Sequence, residues 1–368
     1  MKITERTPRI IALLAMLSLL LVLFVGCGEE QSESKKKTTA ASADTSAVVT
    51  ESGAETTTTA AATIAQTTAL NTTAATTTKP TTTTPAATTT TTPKPTGASW
   101  YKNAAWNDDG VLKILAIGNS FSSDSMQYVY DVAMAAGVQD IYLGNMYIGG
   151  CTLATHLKNA QDDSASYTYY TNQYGGWVTT SKAYKLSDAI KSQNWDFITF
   201  QQASTFSGNP ETYDDLKPLM DILLPLCTNP KVEIAWHMTW AYAANSSSVG
   251  RYGTQMDMYN AIVSSVQSKI VPNTRITKII PNGTAIQNAR SSFVGDNLNR
   301  DGSHLSLDRG RFIAGLTTIE ALIGIDWTTF DMTSLYYVYP TQRVFFVVAE
   351  ESAKNAVKTK FEVTESRY

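Results

Sequence analysis

Two short stretches of the 368-residue chain combine residue types that serve acyl-transfer chemistry when they meet in space. The first is Asp301-Gly302-Ser303-His304. Three-residue spacing in a turn lets a carboxylate reach one imidazole nitrogen and fix the tautomer, which leaves the other nitrogen to take a proton. The second is Gly118-Asn119-Ser120-Phe121-Ser122, followed by Ser123, Asp124 and Ser125 as helix-start signals. A serine at such a turn has its hydroxyl beside free helix amides, which favour negative charge. Each half also has a plain reading: Ser120 as a helix cap, and His304 as a packed or capping histidine.

The elements that would position these residues follow from hydrophobic periodicity. Short β-rich runs at Leu112–Ile117, Ile141–Tyr147, Phe197–Phe200, Val232–Trp236 and Ile276–Ile280 alternate with helical segments. The helices are expected at Ser125–Ala136, Tyr213–Leu226, Gln255–Ile270, Leu305–Ile323 and Val344–Val357. This alternation predicts an α/β fold, a three-layer α/β/α doubly wound sandwich with a mostly parallel five-stranded sheet. Tyr167–Tyr184, rich in Tyr and Thr around Gly175-Gly176, reads as an inserted hairpin or loop. In open parallel sheets ligands bind beyond the strand carboxyl ends. That rule selects Gly118–Ser120, Gly149-Gly150, Gln201-Gln202, His237–Trp240 and residues 282–304.

The order of GNSFS after the first strand, GG after the second, QQAS after the third and DGSHLS near the end resembles the SGNH (GDSL-like) hydrolase superfamily. More narrowly it resembles the branch called domain of unknown function 4886, over residues 111–325. The resemblance implies Ser120 as nucleophile, His304 as general base and Asp301 as its orienting partner. It also implies three oxyanion donors: the amide of Ser120, a glycine amide at Gly150 or Gly149, and a side-chain amide after the third strand. Asn is usual at that last position; here Gln201 and Gln202 stand there, with Gln202 favoured. A glutamine amide donates the same bond from one methylene further back. Asn119 and Gly149 beside these donors, and His237 and Trp240 within Trp236–Tyr242, are candidate substrate contacts; the alternative for the last two is a core role.

The remaining features bound the reading. His156 is expected to be solvated or capping, and three scattered histidines give no metal-ligand spacing, so no metal and no cofactor is expected. Cys151 and Cys227 read as two small buried residues, with pairing left open. A net charge of -3 without a basic stripe argues against nucleic acid as a partner.

The N-terminal third has a different composition. Lys2, Arg6 and Arg9 precede an apolar run that ends at Leu23-Phe24-Val25-Gly26-Cys27, which resembles a bacterial lipobox with Cys27 as the lipidated residue. Between Gln31 and Gly97 stand 26 Thr and 14 Ala and no aromatic residue, too little apolar surface for a core. The expected organisation is a signal segment over 1–27, a disordered Thr/Ala/Pro-rich tether over 28–97 and a hydrolase-like domain over 98–368. This places the protein on the extracellular face of a bacterial membrane, held by its lipid.

The expected function is a serine esterase that removes short acyl groups, acetyl above all, from carbohydrate or a cell-envelope glycan. Two alternatives stand beside it: an inactive glycan-binding lipoprotein on the same fold, and a sugar O-acyltransferase.

Overall fold

The computed structural model describes residues 109–335 and 343–368. The expected signal segment, Cys27, the tether and the first residues of the expected domain lie outside the described residues.

The first strand, β1 (Leu112–Gly118), is buried along its whole length and pairs in parallel on both sides, with β2 (Ile141–Tyr147) and with β5 (Phe197–Phe200). An unbroken apolar run suits a strand covered on both faces. Beyond β5 lie β6 (Glu233–His237) and β7 (Ile276–Ile280), again parallel. Beyond β2 lie β3 (Tyr167–Asn172) and β4 (Val178–Tyr184), both antiparallel. The sheet order is β4-β3-β2-β1-β5-β6-β7.

The sheet therefore has seven strands and not five. The Tyr167–Tyr184 segment is a hairpin that extends the sheet, with Tyr147 opposite Thr168 and Leu143 opposite Asn172. Its Tyr/Thr alternation buries Tyr167, Tyr169 and Thr171 and covers the backbone edge that β2 would otherwise expose.

Two sets of helices pack on the sheet. One contains α1 (Ser120–Met126), α2 (Val129–Ala135), α7 (Asn282–Arg290), α8 (Arg309–Leu322) and α9 (Arg343–Lys358). The other contains α3 (Leu153–Gln161), α4 (Leu186–Lys191) and α5 (Leu216–Leu223). The long α6 (Gln255–Lys269) closes the β6–β7 crossover behind a Thr254/Asp257 capping box.

The expected single helix over 125–136 is two short ones broken at Gln127-Tyr128, and the first begins at Ser120 itself. Helix α7 was not anticipated. Its Asn, Gly and Thr residues read as loop, yet all nine are buried. None of the described helices is long and apolar enough to cross a membrane.

Both remaining histidines sit in the interior. His156 is fully buried, not solvated: its Nδ1 lies 2.8 Å from the Tyr167 hydroxyl and its ring stacks on that tyrosine. Burial pushes His156 and His237 down to about 3. Below the ordinary histidine value of about 6.5, the unfolded chain takes protons that the folded chain refuses, so acid favours unfolding. Each histidine is expected to cost about 1.4 kcal/mol of stability per pH unit between about 6 and 3. Denaturant midpoints across that range check this; a His156→Phe variant should show a shallower slope, and an unchanged slope would refute it. Cys151 and Cys227 are both free thiols, the first buried and the second half-buried.

Candidate active site

At the end of β1 the chain turns abruptly into α1. Gly118 has no side chain because none fits: a Cβ there would lie 2.8 Å from Gln201 Oε1 and 2.9 Å from Ser122 Oγ. Asn119 caps the helix, its carbonyl oxygen accepting from the Phe121 N–H at 2.9 Å. Ser120, the first helical residue, is thereby turned to the crevice at the strand carboxyl ends and is half-buried.

The histidine arrives from the other end of the domain. His304 Nε2 is 2.8 Å from Ser120 Oγ, and its Nδ1 is 2.8 Å from Asp301 Oδ2. The second carboxylate oxygen of Asp301 accepts from the N–H groups of Ser303 and His304 at 3.0 and 2.8 Å. Partial burial opposes the charged form of Asp301. The two N–H donors and the imidazole outweigh it and hold the carboxyl well below the usual range. Asp301 is thus a fixed anion behind the imidazole.

Contacts from α1 and from the segment after β6 hold the 299–305 loop in place. Asp124, fully buried on α1, accepts from the Leu305 N–H at 2.8 Å and pairs with Arg300 at 3.1 Å and Arg311 at 2.7 Å. Trp240 Nε1 donates to the Ser303 carbonyl at 2.8 Å. The Trp240 ring stacks on Phe121 at 4.3 Å, and Phe121 in turn lies 5.5 Å from the His304 ring. The Ala243 N–H donates to the Gly302 carbonyl at 2.8 Å. Asp124 was not singled out in the sequence, where it reads as a helix-start residue. An acidic residue four places after a candidate nucleophile, with Arg300 flanking Asp301, was the available signal.

Several expected site residues have other positions. Gln202 does not face the crevice: its amide donates to the Thr212 carbonyl and hydroxyl at 2.7 and 3.0 Å, and its oxygen accepts from the Leu153 and Ala203 N–H groups. Every hydrogen-bonding group of that side chain serves the loops after β2 and β5. Gln201 is buried behind the nucleophile, donating to Asn119 Oδ1 at 2.9 Å and lying 3.2 Å from His237 Nδ1. Asn119 in turn donates to the Cys151 carbonyl at 3.0 Å. Asn119, His237 and Trp240 are therefore buried supports and not substrate contacts. Gln201 and Asn119 form a polar strut that ties the end of β5 and the turn at Ser120 to the loop after β2. Gly149 and Gly150 are exposed on that loop.

Beside Ser120 opens a cleft of about 340 Å³, with Ser123, Asn145 and Arg300 on its polar side and Tyr147, Tyr170 and Trp177 on its aromatic side. Among the described residues no group of three His, Cys, Asp or Glu side chains could hold a metal ion.

A mostly parallel α/β sandwich, with serine, histidine and aspartate in one hydrogen-bonded line at the carboxyl edge of its sheet, is the class of protein these features define. The chain belongs to the family described as Domain of unknown function (DUF4886), whose model matches residues 113–333. It is similar to the crystal structure of a DUF4886 family protein from Bacteroides uniformis ATCC 8492. That protein is 36% identical with a TM-score of 0.63, over 69% of this chain and 98% of the other. More remote likenesses are an acetylxylan esterase from Geobacillus stearothermophilus, 14% identical with a TM-score of 0.38 over 59% of this chain and 95% of that one, and a GDSL-like lipase from Bacteroides thetaiotaomicron, 8% identical with a TM-score of 0.33 over 67% and 88%. No curated protein matches the chain.

Proposed function

We propose that the protein is a serine esterase of the SGNH type that removes short acyl groups, acetyl above all, from carbohydrate at the bacterial cell surface. The observation that carries this reading is the unbroken line from Ser120 Oγ through the imidazole of His304 to Asp301, with 2.8 Å at each link. In this reading Ser120 Oγ attacks the ester carbonyl while His304 Nε2 takes its proton, and the anionic Asp301 stabilises the imidazolium. The tetrahedral oxyanion is held by backbone N–H groups, those of Ser120 and Gly150, while the two glutamines serve as scaffold. His304 then returns the proton to the departing sugar oxygen. A water molecule, deprotonated by the same nitrogen, attacks the acyl-serine, and carboxylic acid leaves as Ser120 regains its proton.

Surface location rests on sequence. Cys27 in its lipobox context is the lipid attachment site of this proposal, and the Thr/Ala/Pro tract spaces the catalytic part from the membrane. Full-length protein should hydrolyse p-nitrophenyl acetate and be labelled by a fluorophosphonate at Ser120 with one equivalent per chain. In cells the activity should sediment with membranes and become soluble in Cys27→Ala. Absence of both turnover and labelling would remove the esterase; soluble activity in the wild type would remove the anchor.

A further inference from the structure

A second cleft, of about 520 Å³, opens between α2 and the turn joining β3 to β4. It shares two wall residues, Gln127 and Trp177, with the cleft beside Ser120, so the two are neighbours across that pair of side chains. Its other walls come from Tyr128, Tyr130, Asp131 and Tyr174.

The turn that carries Tyr174 is built and not incidental. Asn172 Oδ1 accepts from the Gly175 N–H at 3.0 Å. Gly175 adopts φ +84, a conformation that side chains strain, and a Cβ there would sit 3.4 Å from the Tyr130 ring. The turn thus holds Tyr174 at the rim of the cleft with 88% of its surface exposed. Ring faces flanked by an amide and a carboxylate suit a pyranose, whose C–H face packs on the ring while its hydroxyls bond to the polar rim.

We propose that this second cleft is a distal sugar subsite, so that the substrate is an acylated oligo- or polysaccharide chain running from Ser120 across Trp177 to Tyr174. The inference rests on the proposed esterase activity and deepens it by assigning a polymeric substrate class. Of the ring platforms, Trp177 lines both clefts and sits where two adjacent sugars would abut.

The test measures kcat/KM of full-length protein on O-acetylated mono- to tetrasaccharides from four backbones: xylan, glucomannan, homogalacturonan and the glycan strand of peptidoglycan. p-Nitrophenyl acetate is run in parallel. On at least one backbone kcat/KM should rise about tenfold from mono- to tetrasaccharide, mainly through KM, the scale of one or two aromatic contacts. Tyr174→Ala, a change at an exposed position, should collapse that tetrasaccharide-to-monosaccharide ratio toward one. The inference is overturned if no backbone shows a length gain while p-nitrophenyl acetate is hydrolysed, or if the gain survives Tyr174→Ala. Loss of p-nitrophenyl acetate turnover in the wild type would instead overturn the esterase reading on which it rests.

Discussion

Ser120→Ala and His304→Ala are each expected to lower kcat for p-nitrophenyl acetate by about 10⁴-fold or more, and the double variant should be no worse than either single one. The hydroxyl and the imidazole act in one proton transfer across 2.8 Å, so removing either end removes the step, and a second removal has nothing left to take. Asp301→Asn belongs to the same unit, since a neutral amide neither fixes the tautomer nor stabilises the imidazolium. Because Asp301 is held well below the usual carboxylate range, it stays ionised at any pH above about 4. Its own contribution to stability is present above the ordinary carboxylate value and is lost only as pH falls through its depressed one. The wild-type kcat profile should accordingly show no inflection that belongs to the Asp301 carboxyl from about pH 4 upward, measured as kcat against pH. Multiplicative losses in the Ser120→Ala/His304→Ala double variant would show that the two residues act in separate steps, and wild-type turnover in Ser120→Ala would end the assignment.

Asp124→Asn is expected to destabilise the fold by about 2 kcal/mol, the loss of charge-assisted hydrogen bonds from two part-exposed arginines to a buried carboxylate. Asp124 is the anion for both Arg300 and Arg311 and also accepts the Leu305 N–H. Asparagine keeps the shape and one acceptor, so no cavity forms, and the effect isolates the charge. For a domain of this size the midpoint of thermal unfolding should fall by about 6 °C. Ester turnover should fall as well, because the residue anchored by that N–H adjoins His304. A midpoint within about 2 °C of wild type would show that solvent already screens the two arginines and that the loop is held by Trp240 and Ala243 alone.

These expectations depend on features that were unequally legible in the chain. The five parallel strands announce themselves as apolar runs, and each appears in the structure within a residue or two of its expected bounds. Short runs covered on both faces leave little choice of period. The segment Tyr167–Tyr184 reads as a hairpin or loop but not as part of the sheet, because pairing with β2 is a property of the edge it covers. Helix α7 was invisible for a related reason: nine buried residues with Asn, Gly and Thr among them have no amphipathic stripe, and only contacts on all sides make a helix there.

The functional side chains divide in the same way. Asp301 and His304 are bonded across three residues of one turn, so local geometry was enough to connect them. The role of the glutamines was not local. Gln201 and Gln202 differ by one position on the same strand end, and the pleat sends one behind the nucleophile and the other to Thr212.

Residue type and spacing alone determined the strand-helix alternation, the acid-imidazole pair and the unlike composition of the first hundred residues, because each of these is written within a few turns of chain. The meeting of Ser120 with His304 across 184 positions, the burial of Asn119, His237 and Trp240 as supports, and the two-arginine clasp on Asp124 were decided by tertiary structure. They depend on which surfaces the sheet order brings together, and a hydrogen bond has no reach beyond about 3 Å until the fold has closed that distance.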